Sequence, residues 1–142
     1  MHESCLNKQE KIKKIFNTCN TPEEKYKQVI LLGQQLKRMD AAYKIEENLV
    51  KGCQSTMFLH AELKDGKILF EADSDALISF GLAAILIAIY SGETAETILK
   101  CPPSCLDELG LSASLSPNRA NGLYSIHLKM KQEALKFILK KS

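Results

Sequence analysis

The tetrad Gly52-Cys53-Gln54-Ser55 places a thiol directly after a glycine, between Val50-Lys51 and the strand-like run that opens with Thr56-Met57-Phe58. Glycine takes backbone conformations closed to other residues and leaves its neighbour uncrowded. A cysteine in that setting is expected at a loop tip, within reach of another macromolecule, although free cysteines are as a class among the most buried side chains. A core thiol is the competing reading of Cys53; the glycine and the strand-edge position weigh against it. Lys51, two residues away, adds positive potential that favours thiolate.

The remaining candidates offer less. Cys101-Pro102-Pro103-Ser104-Cys105 supplies two thiols, but structural zinc takes four ligands, usually in spaced pairs, and His2, His60 and His127 do not pair with these cysteines. A proline-forced turn with small buried thiols is the simpler reading. Asp73 and Asp75 form a carboxylate pair directly ahead of an apolar segment, where helix capping accounts for them. Cys53 and His60 together would suit a Cys-His hydrolase, which also needs an oxyanion site and an orienting residue that the sequence does not display.

The chain of 142 residues, 45% hydrophobic and 25% charged, suits one soluble globular domain spanning residues 1–142. A net charge of +2 is too small for nucleic-acid binding. The C-terminal lysines alternate with apolar residues as on a solvated helix face. Five cysteines, an odd number at irregular spacing behind an N-terminus without an apolar core, point to a reduced, cytoplasmic protein. The longest apolar stretch, residues 76–90, falls short of the roughly 18 residues of a membrane span and reads as a core helix.

These residues need a scaffold, and periodicity supplies one. Ile12, Ile15, Phe16 and Cys19 mark a first helix, and Thr21-Pro22-Glu23-Glu24 starts a second that is expected to end near Arg38. Leu49-Val50 is short and β-leaning. Met57, Leu59, Ala61 and Leu63 alternate with polar neighbours, Asp65-Gly66 makes a hairpin turn, and Ile68-Leu69-Phe70 returns. Asp73-Ser74-Asp75 is expected to cap the helix 76–90, followed by short helices near 95–99 and 104–109. A long helix opens at Ser116-Pro117, with Leu123, Ile126, Met130 and Phe137 on one stripe. The expectation is an α+β domain with a small antiparallel sheet of about three strands flanked by N- and C-terminal helices.

Three blocks of this sequence resemble the SufE family of sulfur acceptor proteins. Residues 48–55, Asn-Leu-Val-Lys-Gly-Cys-Gln-Ser, resemble its GCxS loop; Asp73-Ser74-Asp75-Ala76 with Gly81-Leu82 forms the second block. The third, Leu115-Ser116-Pro117-Asn118-Arg119-Ala120-Asn121-Gly122-Leu123, resembles its LSPSRxNGL segment. The likeness runs from about residue 10 to 138. Phe58 and Phe80 stand where the family usually has tryptophan and often has lysine.

The resemblance implies a SufE-like fold and a carrier rather than an enzyme. A SufS-like cysteine desulfurase, which holds the PLP cofactor, would present a persulfide. Cys53 would accept its terminal sulfur and pass it to a SufBCD-like scaffold for iron–sulfur clusters, the chain itself carrying no cofactor or metal and acting as a monomer. Lys51, Gly52, Gln54 and Ser55 would form the loop, and Arg119 would brace it, meet the partner, or serve as a structural ion pair. The loop is expected to shelter Cys53 near the start of the apolar helix and to extend on docking, anchored at Leu49-Val50 and free at Gln54-Ser55. A free-standing thiol enzyme and a metal-binding cluster scaffold are the rival classes.

Overall fold

The computed structural model describes residues 1–53, 55–111 and 115–140. Gln54, one of the expected loop residues, lies outside them. Helix α1 spans Glu3–Phe16 and buries Cys5, Gln9, Ile12 and Phe16 along one stripe, while Cys19 lies past its end. Helix α2, Pro22–Gln35, begins as the sequence predicts: Pro22 occupies the first turn and the Thr21 hydroxyl accepts the Glu24 N–H at 3.1 Å. It stops before Arg38, because Leu36 swings to extended backbone (φ −82°, ψ 133°). That exit frees Arg38 to lie over the Phe80 ring, 4.2 Å from its centroid.

Short 3-10 turns at Ala41–Tyr43 and Glu46–Asn48 lead to the hairpin. Strands β1 (Met57–Lys64) and β2 (Lys67–Ser74) pair antiparallel, from Met57 opposite Ser74 to Lys64 opposite Lys67. Asp65 and Gly66 both adopt positive φ, 53° and 79°, as a two-residue primed turn demands. The sheet has two strands where three were expected. Leu49-Val50 forms a single bridge, Leu49 to Phe58, with Val50 N–H donating to Met57 O at 2.8 Å. The chain then turns at Lys51-Gly52, so no ladder develops.

Helix α3, Leu77–Tyr90, is apolar on nearly every face because α1, α2, β2 and the last helix surround it. Its tightest crossing is with α2, where a Cβ on Gly81 would stand 2.2 Å from Val29 O. Of the triplet Asp73-Ser74-Asp75 expected to cap this helix, neither carboxylate does so; Ala76 is the N-cap without a side-chain bond of its own, and the Ser74 hydroxyl accepts the Ala76 N–H at 3.2 Å. Strand β2 continues through Ser74, which turns the Asp73 carboxylate toward Arg38 (2.5 Å) and Lys44 (2.9 Å) instead.

Helices α4 (Ala95–Lys100) and α5 (Ser104–Glu108) fall where periodicity put them. Helix α6, Pro117–Lys140, closes the molecule, with Leu123, Ile126, Met130 and Ala134 buried and Phe137 half-buried against the core. Among the described residues no helix is long and apolar enough to cross a membrane.

Candidate functional site

Cys53 occupies a loop clamped at its base on both sides. On the incoming side, Val50 is buried and bonded to Met57, and Asn48 Nδ2 donates to Tyr43 O at 2.7 Å. On the outgoing side, Thr56 N–H donates to the Asp75 carboxylate at 3.2 Å, and Asp75 N–H returns to Thr56 O at 3.3 Å. The Ser55 hydroxyl donates to Ser79 Oγ in the first turn of α3 at 2.8 Å. The expectation of a loop free on its Ser55 side is therefore corrected. A polar residue next to the loop tip finds a polar partner on the helix that the loop crosses, and being polar does not leave it loose.

Gly52 has φ +87°, the left-handed region where a side chain is strained, and a Cβ there would stand 2.7 Å from Ser125 Oγ on α6. That turn carries Cys53 inward. Its thiol is half-buried and packs at the margin of the core, with Sγ 3.8 Å from Ser55 Oγ. Beneath it lies Gly122 of α6, where an added Cβ would approach Sγ to 3.1 Å. The thiol is thus sheltered against the face of α6, beside the serine that ties the loop to α3.

No histidine or acid hydrogen-bonds Cys53 among the described residues. His60 stacks on Tyr43 instead, ring centroids 3.8 Å apart and 9° from parallel. Lys51 is exposed and borders a groove of about 480 Å³ with Leu49, Ser125, Leu128 and Lys129. Arg119, in the first turn of α6, is exposed with its guanidinium over the Tyr26 ring, 5.4 Å from the centroid. It forms no salt bridge among the described residues, so the ion-pair alternative gives way to a cation–π contact.

Asp73 lies on the other side of the loop. Burial alone would raise its pKa, but hydrogen bonds from Lys44, Arg38 and the Ser74 N–H outweigh that and hold it below the usual carboxylate range. The Cys101–Cys105 segment is structural. Gln9 Nε2 lies 3.7 Å from both Cys5 Sγ and Cys101 Sγ and donates to Pro102 O at 3.0 Å, and Gln9 Oε1 accepts the Cys105 N–H at 3.0 Å. Burial pushes the Cys5 thiol up to about 12 and the Cys105 thiol to about 11, which leaves both as inert thiols at neutral pH. No cluster of three or more metal-ligating side chains occurs among the described residues.

The sequence singles out Cys53, Gly52, Ser55 and Lys51 as the loop, but not Ser79, Asp75, Ser125 and Lys129, which the structure sets against it. One signal was available: Gly122 falls inside the long helix expected from Ser116-Pro117, and an unexplained glycine inside a helix asks what approaches it.

The family model of the SufE Fe–S metabolism associated domain matches residues 10–134. An uncharacterized SufE-like protein of Synechocystis is 38% identical over 132 residues, covering 93% of this chain and 83% of its own. The sulfur acceptor protein CsdE of Escherichia coli is 34% identical over 119 residues, covering 82% of this chain and 81% of its own. The solution structure of a hypothetical protein from Thermus thermophilus superposes with a TM-score of 0.77 at 22% identity, over 93% of this chain and 96% of that one, and shares the fold. The match along most of the chain, with the cysteine loop and the α6 segment inside it, makes this protein a member of the SufE family.

Proposed function

We propose that this protein is a sulfur carrier in which Cys53 accepts sulfur from the persulfide of a cysteine desulfurase and hands it to an iron–sulfur scaffold of the SufBCD kind. The observation that carries the reading is the sheltered Cys53 thiol, set on a glycine turn with no acid, base or metal ligand bonded to it among the described residues. Cysteine-dependent hydrolysis needs a base and an orienting group beside the thiol; sulfur exchange requires only a thiolate, in-line access and a leaving thiolate. The Cys53 sulfur attacks the terminal sulfur of the donor persulfide, a new S–S bond forms on Cys53, and the donor's S–S bond breaks. The donor leaves as thiolate, and the proton lost from Cys53 balances the one it takes up. The step is redox-neutral and needs no cofactor on this chain; PLP chemistry belongs to the desulfurase.

Shelter and delivery are opposing demands, because a persulfide left in water is lost to oxidation and to small thiols. A loop with an inward and an outward state meets both, the desulfurase favouring the outward one by binding it better. Arg119, exposed at the opening of α6, and Lys51 at the rim of the neighbouring groove are the cations that would meet that partner.

Intact-mass measurement tests the reading. Mixed with desulfurase and L-cysteine, the protein should gain roughly 32 Da for each sulfur accepted, reversible by dithiothreitol, and Cys53→Ser should gain none while staying folded. A gain of the same size on the serine variant would remove Cys53 from the mechanism.

A further inference from the structure

Three contacts between α6 and the cysteine loop fall on one face of the helix. Gly122, Ser125 and Lys129 are spaced three and four apart, so their side-chain positions stack along a single stripe. Against that stripe lies the chain leading through the loop. Lys129 Nζ donates to Glu47 O at 2.9 Å, Ser125 underlies Gly52, and Gly122 underlies the Cys53 sulfur.

Two of these residues have a cost that the rest of the fold does not explain. Glycine inside a helix is destabilising relative to alanine. Outside the helix's own backbone, the described atom that an added Cβ on Gly122 would meet within 4 Å is Cys53 Sγ. The helix therefore gives up stability at the spot where the thiol rests. Lys129 is 13% exposed, and burial pulls its pKa below the ordinary lysine range, with Glu133 as far as 4.0 Å away. Its ammonium spends a donor on the carbonyl of the turn that enters the loop.

We propose that the Gly122–Ser125–Lys129 face of α6 is the seat of the Cys53 loop, Gly122 kept bare for the sulfur and Lys129 a positioning residue that fastens the incoming segment. Leaving this seat is the event that presents the thiol. The inference deepens the carrier reading and rests on it for its purpose, but the geometry it concerns is that of the free protein, so its test requires neither sulfur nor partner.

The test is the alkylation rate of Cys53 by iodoacetamide in the full-length protein, read by peptide mass so that the half-buried Cys19 is scored separately. Gly122→Ala crowds the sulfur while favouring the helix, so its melting temperature should hold or rise. Lys129→Met keeps the apolar stem and removes the donor. Each should raise the Cys53 rate about fivefold, the shift in a two-state equilibrium that one net hydrogen bond or comparable contact supports. Lys136→Met, on an exposed part of the same helix, should leave the rate where it was.

Faster alkylation of Cys53 in the first two variants, without loss of thermal stability and without change in the control, supports the seat. Unchanged rates in the folded variants, or a rise that merely follows a fall in stability, would overturn it. Sulfur acceptance by the parent protein is scored apart by the mass gain, so a seat without a carrier and a carrier without a seat give different results.

Discussion

At the level of single residues, the five cysteines divide by environment: Cys5, Cys101 and Cys105 are buried, while Cys19 and Cys53 are half-buried. Cys5, Cys101 and Cys105 are buried around Gln9, and the Tyr90 hydroxyl donates to Cys101 O at 2.6 Å, which fixes the turn before Pro102. Replacing Cys101 or Cys105 by alanine removes a desolvated sulfur and leaves the backbone bonds intact. Each variant should lose about 1 kcal/mol of stability and keep sulfur acceptance at the parent level. Loss of the mass gain in either would show that the pair takes part in relay. Cys53 was legible in the sequence because the cause of its placement, Gly52, is its neighbour. Ser125 and Lys129 were not legible, since what they support is distant along the chain and meets them only once α6 has docked. Arg119 was legible as a position, while its contact with Tyr26 depends on how α2 and α6 approach each other.

Among the elements, local chemistry settled those whose signals are self-contained. Thr21-Pro22 opens α2 and Asp65-Gly66 turns the hairpin, since each is a matter of adjacent residues. The expectations that failed were those in which a distant partner outbid the local one. Asp73 has the spacing of a helix cap, yet two cations offer its carboxylate more than an unpaired N–H does. Leu49-Val50 has strand composition, but pairing stops where Gly52 turns the chain toward α6. The hairpin itself should be a structural element only. Gly66 has φ +79° with nothing within 4 Å of an added Cβ, so Gly66→Ala isolates the backbone term and should cost about 1 kcal/mol. Asp65→Asn, equally at home in that turn, should be neutral, and both should accept sulfur normally. A drop in acceptance with stability unchanged would place this turn at the docking surface.

For the molecule as a whole, the charges held at its seams set how it responds to acid. His127 of α6 stacks on Tyr90 of α3, centroids 5.3 Å apart, and its Nε2 is buried without a hydrogen-bond partner among the described residues. Burial, aided by Lys131, lowers its pKa to about 4. In the unfolded chain the imidazole returns to about 6.5, so as pH falls below that value the unfolded state takes up the proton first. Stability is therefore full above about pH 6.5 and declines as pH drops through about 4. Asp73 acts lower on the same scale. Its pKa is depressed in the folded protein, so the stability contributed by its contacts with Arg38 and Lys44 is present above the ordinary carboxylate value of about 3.9 and is lost below it. The two windows separate in a urea titration repeated from pH 7.5 to 3. His127→Phe retains the stacked ring without a titrating nitrogen and should flatten the decline between pH 6.5 and 4, leaving the lower limb in place. Asp73→Asn should flatten the lower limb alone, and should start from reduced stability at neutral pH because Arg38 and Lys44 lose their counter-charge. If His127→Phe falls with pH as steeply as the parent through the upper window, the junction of α3 with α6 is not the acid-sensitive seam.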